Sequence, residues 1–349
     1  MNQEIRCLNY SVVAIPSYEL GPFQINGDYA QGEYNLVFSV TESPLIPSIN
    51  RGRKVINEAG GPQTRVLKDE MTRAPLLSTP SPRHAEELRH YLQTHFPVLR
   101  SIAERTTSYG ALSSIEALIH ENDVYLRIGM ETGDAAGHNM AEKAAQAIVE
   151  HLQELYPATK LISISSNYCA DKKAAAIHQE RGRGKSVLAS VQISPDLLRR
   201  YLHTTSEAIV NLNEKKNIVG SRLAGSLGHN AHHANIVAAL YLATGQDIAN
   251  VVEGSLGTTR ASVGENNDLL FSVELPSLVV GTVGGGTSLP YARANLETMN
   301  CYGSGNPIGS NGKKLAELCA VAVLAGELSL MAALTNNDEV LKTHLQYER

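Results

Sequence analysis

The chain has 349 residues, a net charge of −5 and 43% apolar residues, the balance of a globular protein with a large core and roughly two or three domains. That weakly acidic balance excludes nucleic acid as the main partner, which demands a concentrated basic face. Four cysteines, Cys7, Cys169, Cys301 and Cys319, stand at no metal-binding spacing and read as reduced thiols in a cytoplasmic protein without a metal.

The first ten residues include Glu4 and Arg6 and lack the apolar stretch of a signal peptide. Residues 19–47 have a strand-like pattern with turn residues, and Ser48-Ile49-Asn50-Arg51-Gly52 opens a helical segment. A proline-rich stretch at 75–82 marks a boundary. After it the pattern predicts a helix at 84–94, two strands around the Glu121-Asn122-Asp123 turn, a helix at 139–155 and a strand at 159–165. This order resembles half of a ferredoxin-like fold, read as a small inserted domain, and sequence of different character flanks it on both sides. Further on, long helices are predicted at 195–213, 228–242 and 313–334, with a strand at 268–281 running into Gly284-Gly285-Gly286. The most apolar window, 318–334, is short for a bilayer span and is interrupted by Glu327, so it reads as a buried helix and no membrane is expected. The expectation is an α+β protein: a large, mainly helical substrate domain made of 1–73 and 165–349, with a mobile C-terminal tail. A small ferredoxin-like α/β cofactor domain, 74–164, is inserted into it.

Asp171-Lys172-Lys173 follows the strand-like run 161–165 and puts an ammonium where backbone and carboxylate can hold it still. A fixed cation suits a reaction in which charge develops on a carbonyl oxygen, and the bland alternative is a solvated surface pair. Gly182-Arg183-Gly184-Lys185-Ser186 is no phosphate loop, because the glycine required five residues before Gly184 is Gln179. Gly281-Thr282-Val283-Gly284-Gly285-Gly286-Thr287 follows a strand and either approaches a pyrophosphate or forms a plain turn. Asp134-Ala135-Ala136-Gly137-His138-Asn139-Met140 lies where a strand passes into a helix, and is either an anion site or only a capped start. Glu42 sits in an apolar neighbourhood where partial burial would favour its protonated form, though by itself it reads as a surface glutamate in a turn. Asp247 ends an apolar helix and equally suits a solvated terminus, and His344 lies five residues from the C-terminus, where surface histidines are common.

Together these segments resemble 3-hydroxy-3-methylglutaryl-coenzyme A (HMG-CoA) reductase in its bacterial soluble form of the eukaryote-like class. The motifs run in the family's order: Glu42-Ser43-Pro44 with Asn50-Arg51-Gly52, Met71-Thr72-Arg73, 134–140, and Asn167-Tyr168-Cys169-Ala170-Asp171-Lys172-Lys173. Asn230-Ala231-His232 with Asn235, Gly245-Gln246-Asp247, 281–287 and Ala325-Gly326-Glu327-Leu328-Ser329-Leu330-Met331 follow.

The resemblance implies reduction of HMG-CoA to mevalonate and free coenzyme A by two molecules of NADPH, with NADH the alternative, or mevalonate oxidation if flux runs in reverse. By the same resemblance Lys172 addresses the reacting oxygen, Glu42 donates a proton, Asp247 couples the two, and His344 protonates the departing thiolate. Substrate binding falls to Arg73, Ser165, Asp171, Lys173, Lys216 and Asn235, and coenzyme A binding to Ser48, Asn50 and Arg51. Cofactor binding falls to Asp134, Ala136, Gly137, His138, Asn139, Gly284 and Gly285, and a homodimer or higher homo-oligomer with shared active sites is implied. Three departures stand out. Ser108, in Thr107-Ser108-Tyr109, replaces an arginine that faces the adenosine 2′-phosphate, with Arg105 nearby as a substitute. His203 replaces a lysine near the coenzyme A phosphates, and the N-terminal dimer motif of eukaryotic relatives has no clear counterpart before Gly21. A non-catalytic binder of coenzyme A esters is the rival reading, and the presence of all four catalytic positions speaks against it.

Overall fold

The computed structural model describes residues 12–336. In chain order its strands are β1 (Ser17–Gly27), β2 (Gln31–Ser39), β3 (Gln63–Arg73), β4 (Leu76–Ser78), β5 (Ala111–His120), β6 (Asp123–Glu131), β7 (Lys160–Ser163), β8 (Gly184–Ile193), β9 (Thr258–Val263) and β10 (Leu269–Leu278). The helices of the first half are α1 (Leu45–Glu58), α2 (Pro82–Thr94), α3 (Phe96–Glu104) and α4 (His138–Leu155). Later helices include His233–Ala243, Pro290–Thr298 and the 26-residue Ser310–Thr335.

β3 joins two sheets. Its residues 63–70 pair antiparallel with β8, which continues through β10 to β9, while β1 lies beside the start of β3 and forms a hairpin with β2. Residues 71–73 pair instead with β6. Around β6 the spatial order is β7-β4-β6-β5, every pair antiparallel, with α2 and α3 between β4 and β5 and α4 between β6 and β7. That is the β-α-β-β-α-β order of a ferredoxin-like unit.

Each sheet covers its own hydrophobic core. One core gathers Phe23, Ile49, Val187, Leu240, Phe271 and Leu324 around the C-terminal helix. The other gathers Met71, Leu77, Leu88, Leu126 and Ile148 under α2 and α4. Each fully buried Leu, Ile or Phe side chain contributes about 1.5–3 kcal/mol, so these clusters hold the two sheets in shape. Helix α1 turns Leu45, Ile46, Ile49, Val55 and Ile56 inward, a spacing of three to four residues that makes one apolar face. At Gly52 a Cβ would lie 1.9 Å from the Ala325 carbonyl oxygen, so only glycine lets α1 cross the C-terminal helix this closely.

The C-terminal helix is long and apolar enough to cross a membrane by length and composition, but it lies inside the fold, with 83% of its most apolar window buried. Two carboxylates on it are fully buried and serve as backbone acceptors. Glu317 accepts the amides of Asp28, Tyr29 and Ala30 at 2.6–3.1 Å, and Glu327 those of Ala231 and His232 together with the Thr259 hydroxyl at 2.5–3.0 Å. The Glu327 pKa is lowered: burial pushes it up, but His233, His232 and these donors outweigh burial.

Several sequence expectations change. The strand-like stretch 19–47 ends at Ser39, and α1 begins at Leu45 rather than Ser48. The helix expected at 195–213 breaks at His203, whose φ is 52°, and restarts at Ser206 with Thr205 capping it through the Ala208 amide. The mainly helical character expected outside 74–164 omitted β3 and β8, which lie in the middle of the larger sheet, and β9 at its edge. Gly184 opens β8, and Lys185 is buried in an ion pair with Asp69 at 3.1 Å, in keeping with a motif that is no phosphate loop.

Candidate active site

A cleft of about 810 Å³ opens where residues 135–140, 245–247 and 281–287 meet Arg73, Asp171, Lys172 and Asn250. Two of its loops are stitched by an isolated parallel bridge, Ala135 to Val283. Gln246 clamps the third: Gly281 N donates to its Oε1 at 2.9 Å and its Nε2 donates to the Gly281 carbonyl at 3.0 Å.

Lys172 Nζ lies 2.6 Å from Asp247 Oδ2, with both side chains about two-fifths exposed at the cleft wall (39% and 44%). The hydrogen bond to Asp247 raises the lysine pKa above its ordinary value, so the amine stays an ammonium. Burial pushes the Asp247 pKa up, but Lys172 and the Ala249 amide outweigh it, and the net direction is down. A cation kept charged beside a carboxylate, at the mouth of a cleft, can stabilise an oxyanion.

The loop that presents Lys172 is contorted. Asn167, Ala170 and Lys172 all take left-handed backbone angles, φ 67°, 52° and 56°, which side chains other than glycine adopt at a cost. Beneath it, Arg183 is 1% exposed and donates to Asp171 Oδ1 at 3.0 Å and to Glu253 Oε1 at 2.9 Å. Glu253 Oε1 also accepts the Lys172 amide at 3.3 Å and Asn250 Nδ2 at 2.7 Å. Asp171 therefore faces inward to a buried network, with Arg73 4.0 Å from its Oδ2.

Residues 137–140 form one wall at the start of α4. No side chain caps this helix and its first turn holds no acidic residue, so its amide donors and positive dipole end are available to an anion. Gly137 has φ 93° and a Cβ there would meet the Thr132 side chain at 2.4 Å. Opposite, Gly284 and Gly285 take φ 76° and 55° with nothing within 4 Å of an added Cβ, leaving backbone open to a ligand. A pyrophosphate fits this setting. His138 joins the wall with Nε2 3.8 Å from Asp171 Oδ1; burial and then Arg183 lower its pKa, against the pull of Asp171.

The cleft thus gathers Lys172, Asp247, Arg73, Asp171, Ala136, Gly137, His138, Asn139, Gly284 and Gly285 from the expected set. Arg73 is held by Glu142 within the described residues. Asp134, also expected at the cofactor, does not line the cleft. Its carboxylate is buried and accepts the Gly305, Gly309 and Gly312 amides at 2.8–2.9 Å, tying the cleft loop to the start of the C-terminal helix.

Glu42 does not line this cleft either; it accepts from Asn235 Nδ2 at 3.1 Å. Ser48 and Arg51 bond to Ser329 at 2.7–3.0 Å, Asn50 accepts from Arg53 at 2.9 Å, and these contacts fasten α1. Ser165 Oγ contacts Cys169 Sγ at 3.5 Å, and Lys173 is exposed. Half-buried Lys216 donates to Asn217 at 3.3 Å; burial lowers its pKa while Glu327 opposes the shift. His344 lies outside the described residues. Sequence reasoning missed Arg183, Glu253, Asn250 and Gln246 as parts of this site. Gln246 lay within the Gly245-Gln246-Asp247 motif and Arg183 within Gly182-Arg183-Gly184-Lys185-Ser186, while Glu253 and Asn250 carried no signal.

The fold is that of solved reductases of mixed helix and sheet. It superposes with a TM-score of 0.74 on the class II 3-hydroxy-3-methylglutaryl-CoA reductase of Streptococcus pneumoniae bound to NADPH, at 20% identity, over 94% of this chain and 86% of that one. In sequence the chain is 45% identical to the 3-hydroxy-3-methylglutaryl-coenzyme A reductase of Pyrococcus horikoshii, over 93% of this chain and 78% of that protein. It is 47% identical to that of Aeropyrum pernix over 92% and 76%, and 43% identical to reductase 2 of Gossypium hirsutum over 97% and 54%. A family model described as hydroxymethylglutaryl-coenzyme A reductase matches residues 10–349, and the chain belongs to that family of mevalonate-pathway oxidoreductases.

Proposed function

We propose that the chain reduces HMG-CoA to mevalonate and free coenzyme A, using two NADPH. The observation that carries this reading is the Lys172–Asp247 contact of 2.6 Å in a cleft walled by an uncapped helix start and an open glycine loop. When bound there, the nicotinamide supplies a hydride to the thioester carbon and, in a second round, to the aldehyde carbon. Residues 136–139 and 284–285 hold the dinucleotide. Lys172 bonds the reacting oxygen while negative charge gathers on it, and Asp247 keeps that lysine charged. Glu42 gives the alcohol oxygen its proton, and His344 protonates the departing thiolate so that it cannot re-attack the aldehyde. Arg73, Lys173, Lys216, Ser165 and Asn235 bind the substrate's carboxylate end, with Asp171 setting the loop; Ser48, Asn50 and Arg51 face coenzyme A.

The separation of Glu42 and Asn235 from the Lys172 cleft supports a homodimer in which each active site takes residues from two subunits. The two cores support a division into a small cofactor domain, 74–164, inserted between 1–73 and 165–349. We place the chain in the eukaryote-like class, since identity is 43% to the cotton enzyme and 20% to the class II structure. Buried free thiols at Cys169, Cys301 and Cys319 support a cytoplasmic setting. For NADPH over NADH, Ser108 offers no cation, but Arg105 at the end of α3 is exposed and holds no ion pair among the described residues.

A paired assay tests the reading: HMG-CoA with NADPH or with NADH, following nicotinamide oxidation and coenzyme A release. Turnover with NADPH and mevalonate as product is expected. No oxidation of either cofactor by folded protein refutes it, and fast turnover only with NADH and mevalonate in the opposite direction favours a catabolic enzyme.

A further inference from the structure

We propose that Glu253, together with Arg183, is a positioning residue that holds Lys172 in its working conformation. The inference rests on the assignment of Lys172 to the reacting oxygen. Glu253 is fully buried and one of its oxygens, Oε1, gathers three donors: the Lys172 amide at 3.3 Å, Arg183 at 2.9 Å and Asn250 at 2.7 Å. Its other oxygen, Oε2, is buried and has no hydrogen-bond partner among the described residues. A charge and an unmet acceptor are expensive to bury, and hydrophobic residues of similar volume commonly hold a core as well or better. A purely structural role therefore explains this cluster poorly.

Its location explains it better. Lys172 takes a left-handed backbone at φ 56° and Ala170 does so two residues before it at φ 52°. A left-handed lysine persists only where the surroundings over-determine it. Glu253 grips that residue by its amide, while Arg183 grips the preceding carboxylate, Asp171, at 3.0 Å. Asn250 closes the ring by donating to Asp171 at 3.3 Å as well as to Glu253. Backbone and neighbouring side chain are thus fixed from beneath, and the Lys172 side chain emerges toward Asp247. The charged and titratable groups around that ammonium are Asp247, Asp171, Glu253, His138, Arg73 and Arg183.

Glu253→Gln tests the proposal in the whole protein. It keeps the shape and an acceptor but removes the charge that Arg183 and the loop lean on. Expected are a loss of about ten- to a hundredfold in kcat, with the KM values for HMG-CoA and NADPH changed by less than about threefold. The alkaline limb of kcat is expected to move to lower pH as the contact between Lys172 and Asp247 loosens. A structural role alone lowers the thermal midpoint and the active fraction together and leaves that limb in place. If Glu253→Gln does not fold, Asn250→Ser removes the bonds to both carboxylates without unpairing Arg183, and the same kcat loss and limb shift are expected. Wild-type kcat per folded molecule with an unmoved limb, in whichever variant folds, overturns the proposal. An inactive wild-type protein instead overturns the functional reading beneath it.

Discussion

At the scale of single residues, magnitude separates function from stability. The Lys172–Asp247 pair is exposed enough that solvent screens it, and such pairs contribute about 0–1 kcal/mol to folding. The signs agree across neutral pH. Asp247, with a depressed pKa, stabilises the fold above its unfolded value and loses that contribution as pH falls through the folded one. Lys172, with a raised pKa, contributes below its unfolded value and loses it as pH rises through the folded one. Asp247→Asn is therefore expected to shift the thermal midpoint by no more than about 2–4 °C while lowering kcat by about a hundredfold or more. Calorimetry beside steady-state kinetics checks it; a large midpoint loss with kcat intact contradicts the assignment. Lys172 and Asp247 were legible in sequence through motif resemblance. Their partners Glu253 and Asn250 were not, because a buried carboxylate in Val251-Val252-Glu253-Gly254 looks like any helix-end glutamate until the fold brings Arg183 against it.

At the scale of elements, the amphipathic helices were readable and the charge-bearing strands were not. Helices α2 and α4 have clean apolar faces, whereas β3 and β8 carry charged residues such as Arg65, Lys68, Asp69 and Lys185, which hid the alternation of buried and more exposed positions along each strand. The helix at 195–213 was overextended because αL His203 leaves no proline or glycine as a break signal. Asp134 shows the same limit in the site: its sequence position suggested a ligand contact, but three backbone amides claim its carboxylate. Asparagine there has one acceptor oxygen and sets an amide donor against a backbone donor. Asp134→Asn is expected to cost about 2–4 kcal/mol in denaturant unfolding, with the KM for NADPH per folded molecule within about twofold of wild type. A large KM change at unaltered stability would return Asp134 to the cofactor site.

At the scale of the whole molecule, the expected catalytic positions do not all line one cleft of one chain: Lys172 and Asp247 do, whereas Glu42, bonded to Asn235, does not. A shared site predicts complementation. Glu42→Gln and Lys172→Ala proteins, each inactive, regain about a quarter of wild-type activity after subunits are mixed and allowed to exchange, because half of the dimers carry one intact site. No recovery despite proven exchange places both residues in a site made by one chain. The ferredoxin-like order was anticipated from the helix, strand-pair, helix, strand run, but its link to the rest was not, since β3 has to be shared between two sheets for the link to exist. That sharing limits modularity. A fragment cut at residue 74 would strip residues 71–73 from β6 and leave residues 128–130 with bare amides and carbonyls, an invitation to stray strand pairing. The small unit is thus a poor candidate for transplantation, and any recombination of this fold with another has to carry the end of β3 along with it.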